Sequence, residues 1–194
     1  MSLKLYGHHL SLCTRRVLLV LAEKGVEVEF EVIDFLQGEH KQPHYVRKHP
    51  FAVIPLLEDG GFRLFAKAIA RYLATKHKNE GTSLIPNAEN TKARLFFNSG
   101  LLYSTRKLPL LPEMFPLLTI LSSMKGIHAD TSLTLEAVKK LYEKLDVLYL
   151  VLADQQYIGG QTFSLIDIFY MPVVDMLFQA GEGGAFKERP NLGA

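Results

Sequence analysis

Residues 3–25 read Leu3-Lys-Leu-Tyr-Gly-His-His-Leu-Ser-Leu-Cys-Thr-Arg-Arg-Val-Leu-Leu-Val-Leu-Ala-Glu-Lys-Gly25, and this stretch decides the fold. Leu3 and Leu5 alternate with polar neighbours, as in a strand entering a sheet. Gly7 marks a turn. From Thr14 onward the apolar residues crowd together (Val17, Leu18, Val20, Leu21), as on the buried face of a helix. Gly25 stands where a helix commonly ends, with Lys24 in the last turn. Ser11 and Thr14 fall at the elbow between strand and helix, where the first helical N–H groups lack intrahelical partners. A hydroxyl at such an elbow can cap the helix. It can also donate to an anion held at the positive end of the helix dipole. The elbow alone leaves both jobs open for Ser11.

Outward from the elbow, Val26–Ile33 alternates Val26, Val28, Phe30 and Val32 against Glu27, Glu29 and Glu31, which predicts a half-buried strand. Strand, helix, strand favours a parallel pair joined by a crossover. A loop at 34–41 carries Gly38 and the polar tip Glu39-His40-Lys41, and a short helix is expected over 43–48. Ala52–Glu58 reads as a strand interrupted by Pro55, which needs an edge, a bulge or a special peptide bond. Asp59-Gly60-Gly61 signals a hairpin returning through Phe62–Phe65. Ala66–His77 has helical spacing. The polar stretch 80–88 reads as a linker, and the strand signals then stop. Helices are expected over 89–106, 133–152 and 168–177. Three prolines at 109, 112 and 116 interrupt any helix there, which 117–124 would resume. Ser164 and Asp167 form a capping-box pattern before the last, very apolar helix. The expected architecture is α/β plus all-α: a small α/β domain over 1–79, a linker over 80–88 and an all-helical domain over 89–194.

Composition narrows the function. A formal net charge of +2 on 194 residues is too small to argue for nucleic acid or anionic membrane as partner. The single Cys excludes an intrachain disulfide and suits a reducing compartment. No signal peptide and no membrane-crossing apolar run is visible, so a soluble cytoplasmic protein is expected. The 7 His show no metal-ligand spacing, and no metal site is expected.

Taken together, several ordered segments resemble a cytosolic glutathione transferase, most closely the phi-type and related fungal enzymes that use serine. They are Lys4-Leu-Tyr-Gly7; Ser11 with Thr14-Arg15-Arg16-Val17; Gly38-Glu-His-Lys41; Pro50-Phe51-Ala-Val-Ile-Pro55; Ala68-Ile-Ala-Arg-Tyr-Leu73; and Tyr157-Ile-Gly-Gly160 with Phe163-Ser-Leu-Ile-Asp167. The resemblance covers nearly the whole chain. It implies a thioredoxin-like N-terminal domain, a helical C-terminal domain and a homodimer. It also implies conjugation of glutathione to small hydrophobic electrophiles, a detoxification chemistry, with glutathione as co-substrate and no tightly bound cofactor. In the family's pattern Ser11 is the catalytic hydroxyl, the peptide before Pro55 is cis, and the Ile54 backbone pairs with the cysteinyl part of glutathione. His40 and Lys41 hold the glycyl carboxylate. Val53, Ala66 and Lys67 complete the glutathione site. Leu12, Phe35, Leu36 and Phe115 are expected to line the electrophile site. Cys13 is expected to pack rather than react. Arg15 and Arg16 steer the anion or pair with carboxylates, and Phe51 packs in the core or inserts into a partner subunit.

The chain departs from the family at one end of the expected site. Relatives carry Glu-Ser-Arg-Ala-Ile before the third helix, where the acid and hydroxyl hold the γ-glutamyl group. Here the junction is Phe65-Ala-Lys-Ala-Ile69, one residue shorter, and Val53 replaces a common glutamine. A hydrogen bond to a charged group contributes roughly 1.5–3 kcal/mol, so losing two weakens binding on the order of a hundredfold. Lys67 is the expected substitute partner for the γ-glutamyl carboxylate. The alternative is a transferase-like binding or scaffold protein with weak or absent catalysis.

Overall fold

The computed structural model describes residues 3–65, 67–86, 89–106, 131–179 and 183–192. Contacts divide the chain into two compact units, Met1–Ile85 and Pro86–Ala194.

The first unit is built on a four-stranded sheet with strand order β2-β1-β3-β4. Strand β1 is Leu3–Gly7, helix α1 Leu12–Lys24 and β2 Glu29–Val32, parallel to β1 as the strand–helix–strand pattern requires. A 3-10 turn at Glu39–Lys41 and a single-turn helix α2, Pro43–Val46, lead to β3, Leu56–Asp59. β3 runs antiparallel to β1 and pairs through a hairpin with β4, Phe62–Phe65; α3 follows at Lys67–Lys76. Gly60 and Gly61 both take positive φ (57° and 90°), the conformation that two-residue hairpin turns favour and glycine supplies. This is the thioredoxin-like arrangement expected from the sequence.

Alternation along β1 divides the core. Leu5 pairs with Leu57 across the sheet, and both are fully buried. Helices α1 and α3 pack together and bury Val17, Val20, Leu21, Ile69 and Leu73. Tyr6 joins Ile33, Tyr45 and Leu56 in a separate cluster, with Ile54 and Phe65 packed on it.

Two predicted strands are shorter than expected. β2 covers only Glu29–Val32 of 26–33, and Val32 is 53% exposed. β2 is an edge strand, with β1 as its single strand partner among the described residues, so its outer side is not covered by another strand of the sheet. Ile33, just beyond it, is the buried residue, and its amide donates to the Gly7 carbonyl (2.8 Å). β3 begins at Leu56 rather than Ala52. The Ile54–Pro55 peptide is cis and Ala52 has φ 52°, which keep 52–55 out of the ladder.

Lys24, expected merely to complement the end of α1, is 2% exposed. Its Nζ donates to the carbonyls of Glu80 (3.1 Å) and Thr82 (2.6 Å), and the Thr82 amide donates to Glu23 O (3.0 Å). Gly81 lies between them with φ 51°. A Cβ there would stand 2.0 Å from Glu23 O, so only glycine fits. The start of the predicted linker is thus pinned to the C-terminal end of α1, and Leu84 is buried.

The second unit contains only helices and 3-10 turns among its described elements: α4 (Thr91–Arg106), α5 (Thr131–Asp154), α6 (Leu165–Gln179), α7 (Gly184–Lys187) and a 3-10 turn at Pro190–Leu192. The proline-broken segment 108–116 and the helix expected over 117–124 lie outside the described residues. Asn90 caps α4, its Oδ1 accepting from the Ala93 amide at 3.0 Å. α6 is buried along most of its length and is anchored by the predicted capping pair. Asp167 Oδ2 accepts from the Ser164 amide and hydroxyl, both at 2.8 Å. Asp167 Oδ1 accepts from the Ile158 amide (2.8 Å), and Ser164 Oγ accepts from the Ile166 amide (3.3 Å). Arg189 is 8% exposed and held by Asp146 and the Ala185 carbonyl. No helix of the described residues is long and apolar enough to cross a membrane.

Candidate functional site

Strand directions bring the sequence-predicted residues of the first unit to one end of its sheet. β1 and β2, being parallel, both end there, delivering the elbow 7–12 and the loop 33–41. β3 starts there, because Tyr6 pairs with Leu56, and residues 52–55 lead into it. β4 ends there too, with Phe65 opposite Leu56, and hands over to α3 at Lys67. Ser11, Phe35, Leu36, His40, Lys41, Val53, Ile54, Pro55 and Lys67 therefore come from loops and helix starts sharing one sheet end. Ala66 and Phe115, also predicted, lie outside the described residues.

The elbow is closed by a ring of three hydrogen bonds. The Ser11 amide donates to His8 O (2.9 Å), the Thr14 amide to Ser11 Oγ (3.4 Å), and the His8 amide to Thr14 Oγ1 (3.3 Å). Gly7 permits it: a Cβ there would come within 2.7 Å of Thr14 Oγ1 and 2.6 Å of Thr14 Cγ2. Ser11 is the N-cap of α1, with extended backbone (φ −80°, ψ 120°). The cap uses one lone pair of Oγ. A hydroxyl has two lone pairs and one hydrogen, and this hydrogen is donated to no group among the described residues. Capping and donation to an anion, posed as alternatives by the sequence, are compatible on the same oxygen.

Asp34 shapes the second loop. Its Oδ1 accepts from the amides of Leu36 and Gln37 (both 3.1 Å), and Glu39 Oε2 accepts from the Asp34 amide (2.6 Å). Gly38 (φ 78°) then turns the chain into the Glu39–Lys41 turn. Lys41 is exposed. His40 Nδ1 is buried and without a hydrogen-bond partner, and burial, then the Lys41 charge, pushes the His40 pKa below the usual imidazole value. The cation of this loop at neutral pH is therefore Lys41, while His40 offers a neutral ring. Phe35 bridges the two loops, edge-on to His8 (5.3 Å between centroids) and 6.4 Å from His40.

At the third element the Val53 carbonyl already accepts from the Tyr45 hydroxyl (2.8 Å). The amide and carbonyl of Ile54 make no hydrogen bond among the described residues, which leaves an adjacent donor and acceptor for an extended peptide. Val53 is 45% exposed and apolar, so its side chain supplies contact but no hydrogen bond. Leu12 is only 8% exposed and presents little surface, unlike Leu36 at 38%. Cys13 is partly buried near Arg16, whose Nη1 lies 3.8 Å from its sulfur, and Arg16 is itself buried. Phe51 projects, 76% exposed, beside His49 and Phe65. His49 is fully buried, stacked on Phe65 at 4.0 Å, with neither ring nitrogen bonded, and burial lowers its pKa.

Sequence reading did not single out His8, Tyr45 or His49. The spacing of His8 from Leu10 was the available signal for the first, since a side-chain acceptor two residues before an amide can bond to it. The second unit holds a separate cleft of about 660 Å³ lined by Leu152, Tyr157, Phe163, Tyr170 and Met171 among others; no predicted site residue lies in it. No cluster of metal-ligating side chains occurs among the described residues.

Residues 1–75 match the family model described as "Glutathione S-transferase, N-terminal domain", and 111–194 match "Glutathione S-transferase, C-terminal domain". The chain is 35% identical over 183 residues to glutathione S-transferase PM239X14 of Arabidopsis thaliana, covering 92% of this chain and 83% of that one. It is 31% identical to glutathione S-transferase hmp2 of the fungus Hypomyces subiculosus, over 99% of this chain and 90% of the relative. Among solved structures, glutathione transferase F7 from Populus trichocarpa superposes with TM-score 0.90 at 32% identity, over 97% of this chain and 89% of that one. A glutathione S-transferase I bound with lactoylglutathione gives 0.88 at 26% identity, covering 99% and 90%.

Proposed function

The chain belongs to the glutathione S-transferase family, and from that premise we propose that it conjugates the glutathione thiolate to small hydrophobic electrophiles, with Ser11 stabilising the thiolate. The observation that carries this is the Ser11 hydroxyl: its oxygen caps α1 while its hydrogen is left over, at a helix N-terminus. A thiol with pKa near 8.5 is mostly protonated at neutral pH, whereas the thiolate is the nucleophile. A hydroxyl donating to sulfur, together with the helix dipole, favours the charged form.

In this reading glutathione lies extended along the sheet end. The Ile54 amide and carbonyl pair with its cysteinyl residue. Lys41 supplies charge to the glycyl carboxylate, and His40 adds a neutral ring N–H. Lys67, at the start of α3, faces the γ-glutamyl end, where the family's acid and hydroxyl are missing. The thiol proton leaves to solvent. The thiolate then forms a C–S bond to the electrophile as the leaving group departs with its electron pair, or adds to an activated double bond that takes up a proton. Phe35 and Leu36 offer apolar contact to the electrophile. Two copies of the chain associate through the face bearing the projecting Phe51, in the cytoplasm, where the lone Cys13 stays reduced.

Calorimetric titration with glutathione, beside chlorodinitrobenzene conjugation by the native chain and by Ser11→Ala, tests this. Binding together with Ser11-dependent turnover supports the assignment. No binding at millimolar glutathione, or binding without turnover, would overturn the conjugation reading in favour of the scaffold alternative.

A further inference from the structure

We propose that His8 is a positioning residue for this reaction: its imidazole fixes the segment that presents the Ser11 hydroxyl. The role rests on the conjugation proposed above. His8 enters the elbow through three separate atoms. Its amide donates to Thr14 Oγ1 and its carbonyl accepts from the Ser11 amide. Any residue but proline could supply those two bonds. The third is particular to the side chain: His8 Nδ1 accepts from the Leu10 amide at 3.1 Å. That amide has no other partner among the described residues, and Leu10 directly precedes Ser11. The imidazole therefore closes a small ring over His8–Leu10, as an asparagine or aspartate side chain does when it bonds the amide two residues on.

The far side of the imidazole is held as well. Its ring meets Phe35 edge-on, 5.3 Å between centroids and 74° between planes, and Phe35 in turn approaches His40. The imidazole thus ties the elbow to the loop carrying His40 and Lys41. The bond also fixes the tautomer. Leu10 N–H is a donor, so Nδ1 must be the bare nitrogen and the proton of the neutral ring resides on Nε2. A hydroxyl that stabilises a thiolate acts over a narrow range of position, and a misplacement of about 1 Å can cost up to a hundredfold in rate. The side chain holding the peptide before Ser11 then affects turnover more than glutathione binding, whose other contacts come from residues 40–41 and 54.

Two substitutions separate acceptor from ring. His8→Phe keeps an aromatic ring beside Phe35 and removes the acceptor. His8→Asn removes the ring and restores an acceptor for the Leu10 amide. We expect His8→Phe to lower kcat about tenfold with KM for glutathione changed less than about twofold, and His8→Asn to stay within about threefold of the native kcat. A wild-type kcat in His8→Phe, or equal impairment of both variants, would overturn the role. Nitrogen NMR of the native chain is independent of activity and of how the variants fold: it should show the His8 proton on Nε2, and a proton on Nδ1 in the neutral ring would also overturn it. An active native chain indifferent to His8→Phe removes this role alone; an inactive native chain removes the conjugation reading, and this role with it.

Discussion

The Thr14 amide nitrogen stands 3.4 Å from Ser11 Oγ and donates to it, so Ser11 caps α1 while keeping its own hydrogen for another acceptor. Capping and the proposed thiolate stabilisation on one oxygen can be separated by substitution. Ser11→Ala removes both and should cost about 1 kcal/mol of stability, with conjugation falling about a hundredfold. Ser11→Asp keeps an acceptor for the Thr14 amide and puts a negative charge where the thiolate should form. It should melt at or above the native temperature and conjugate no better than Ser11→Ala. Thermal melts beside initial rates check both; an active Ser11→Asp would mean that the hydroxyl hydrogen is not used.

The anion loop makes a prediction about charge. Burial holds the His40 pKa below the usual imidazole value, so His40 is neutral at physiological pH and Lys41 is the cation. Lys41→Ala should raise KM for glutathione about three- to fivefold at low salt, the range of an exposed ion pair, and the difference should shrink at high salt. The effect of His40→Ala should be nearly independent of salt. The native KM should improve little as pH falls from 8 to the ordinary imidazole pKa of about 6.5, because the lowered His40 pKa leaves the ring mostly neutral there. Steady-state kinetics over salt and pH decides each point.

His49 should be a source of instability. It is fully buried, and neither ring nitrogen has a partner. A buried polar group left unbonded costs roughly 1–3 kcal/mol. His49→Phe, which keeps an aromatic ring stacked on Phe65, should raise the melting temperature by about 2–6 °C. The pH dependence has a definite sign. The unfolded imidazole takes a proton below its usual pKa of 6.5, whereas burial delays protonation of the folded one to lower pH. The folded state therefore keeps its full stability above about pH 6.5 and loses it progressively as pH falls through the folded-state value. The advantage of His49→Phe should grow on acidification, and a constant advantage from pH 8 to 5 would refute this origin.

Asp167 anchors the buried helix of the second unit through three donors: the amides of Ile158 and Ser164 and the Ser164 hydroxyl. Asp167→Ala should lower stability on the order of 3 kcal/mol, seen as a lower denaturant midpoint at unchanged slope. Asp167→Asn, which retains acceptor capacity on one oxygen, should lie between the two.

What was legible beforehand follows from how far along the chain each interaction reaches. The strand and helix around the elbow, the Gly60-Gly61 hairpin and the Ser164–Asp167 cap depend on residues a few positions apart, and spacing alone reported them. Features set by distant partners did not show. Lys24 reads as an ordinary helix-end cation, yet its ammonium is buried against carbonyls at 80 and 82. Val32 reads as a core residue, but its strand lies at the sheet edge. His49 reads only as the residue that ends the short helix before Pro50, and its burial depends on Phe65 of β4. In the candidate site, Ser11, Pro55 and the His40–Lys41 tip became candidates only through the resemblance to the family. That capping leaves the Ser11 hydrogen available for the proposed donation became visible only with the geometry of Thr14.

Ala52 carries a further consequence. It holds φ 52° without being glycine, two residues before the free backbone groups of Ile54. An L-residue in that region forfeits about 1–2 kcal/mol relative to its preferred basins. Glycine would relax the bend but would also enlarge the set of shapes open to the peptide when nothing holds it. Alanine makes the bend harder to form and, once formed, leaves it fewer neighbouring shapes to wander into. The segment is thereby kept stiff at the expense of robustness, so a search for hardier variants would readily find glycine at 52 and would trade away some of the order of the free Ile54 backbone groups.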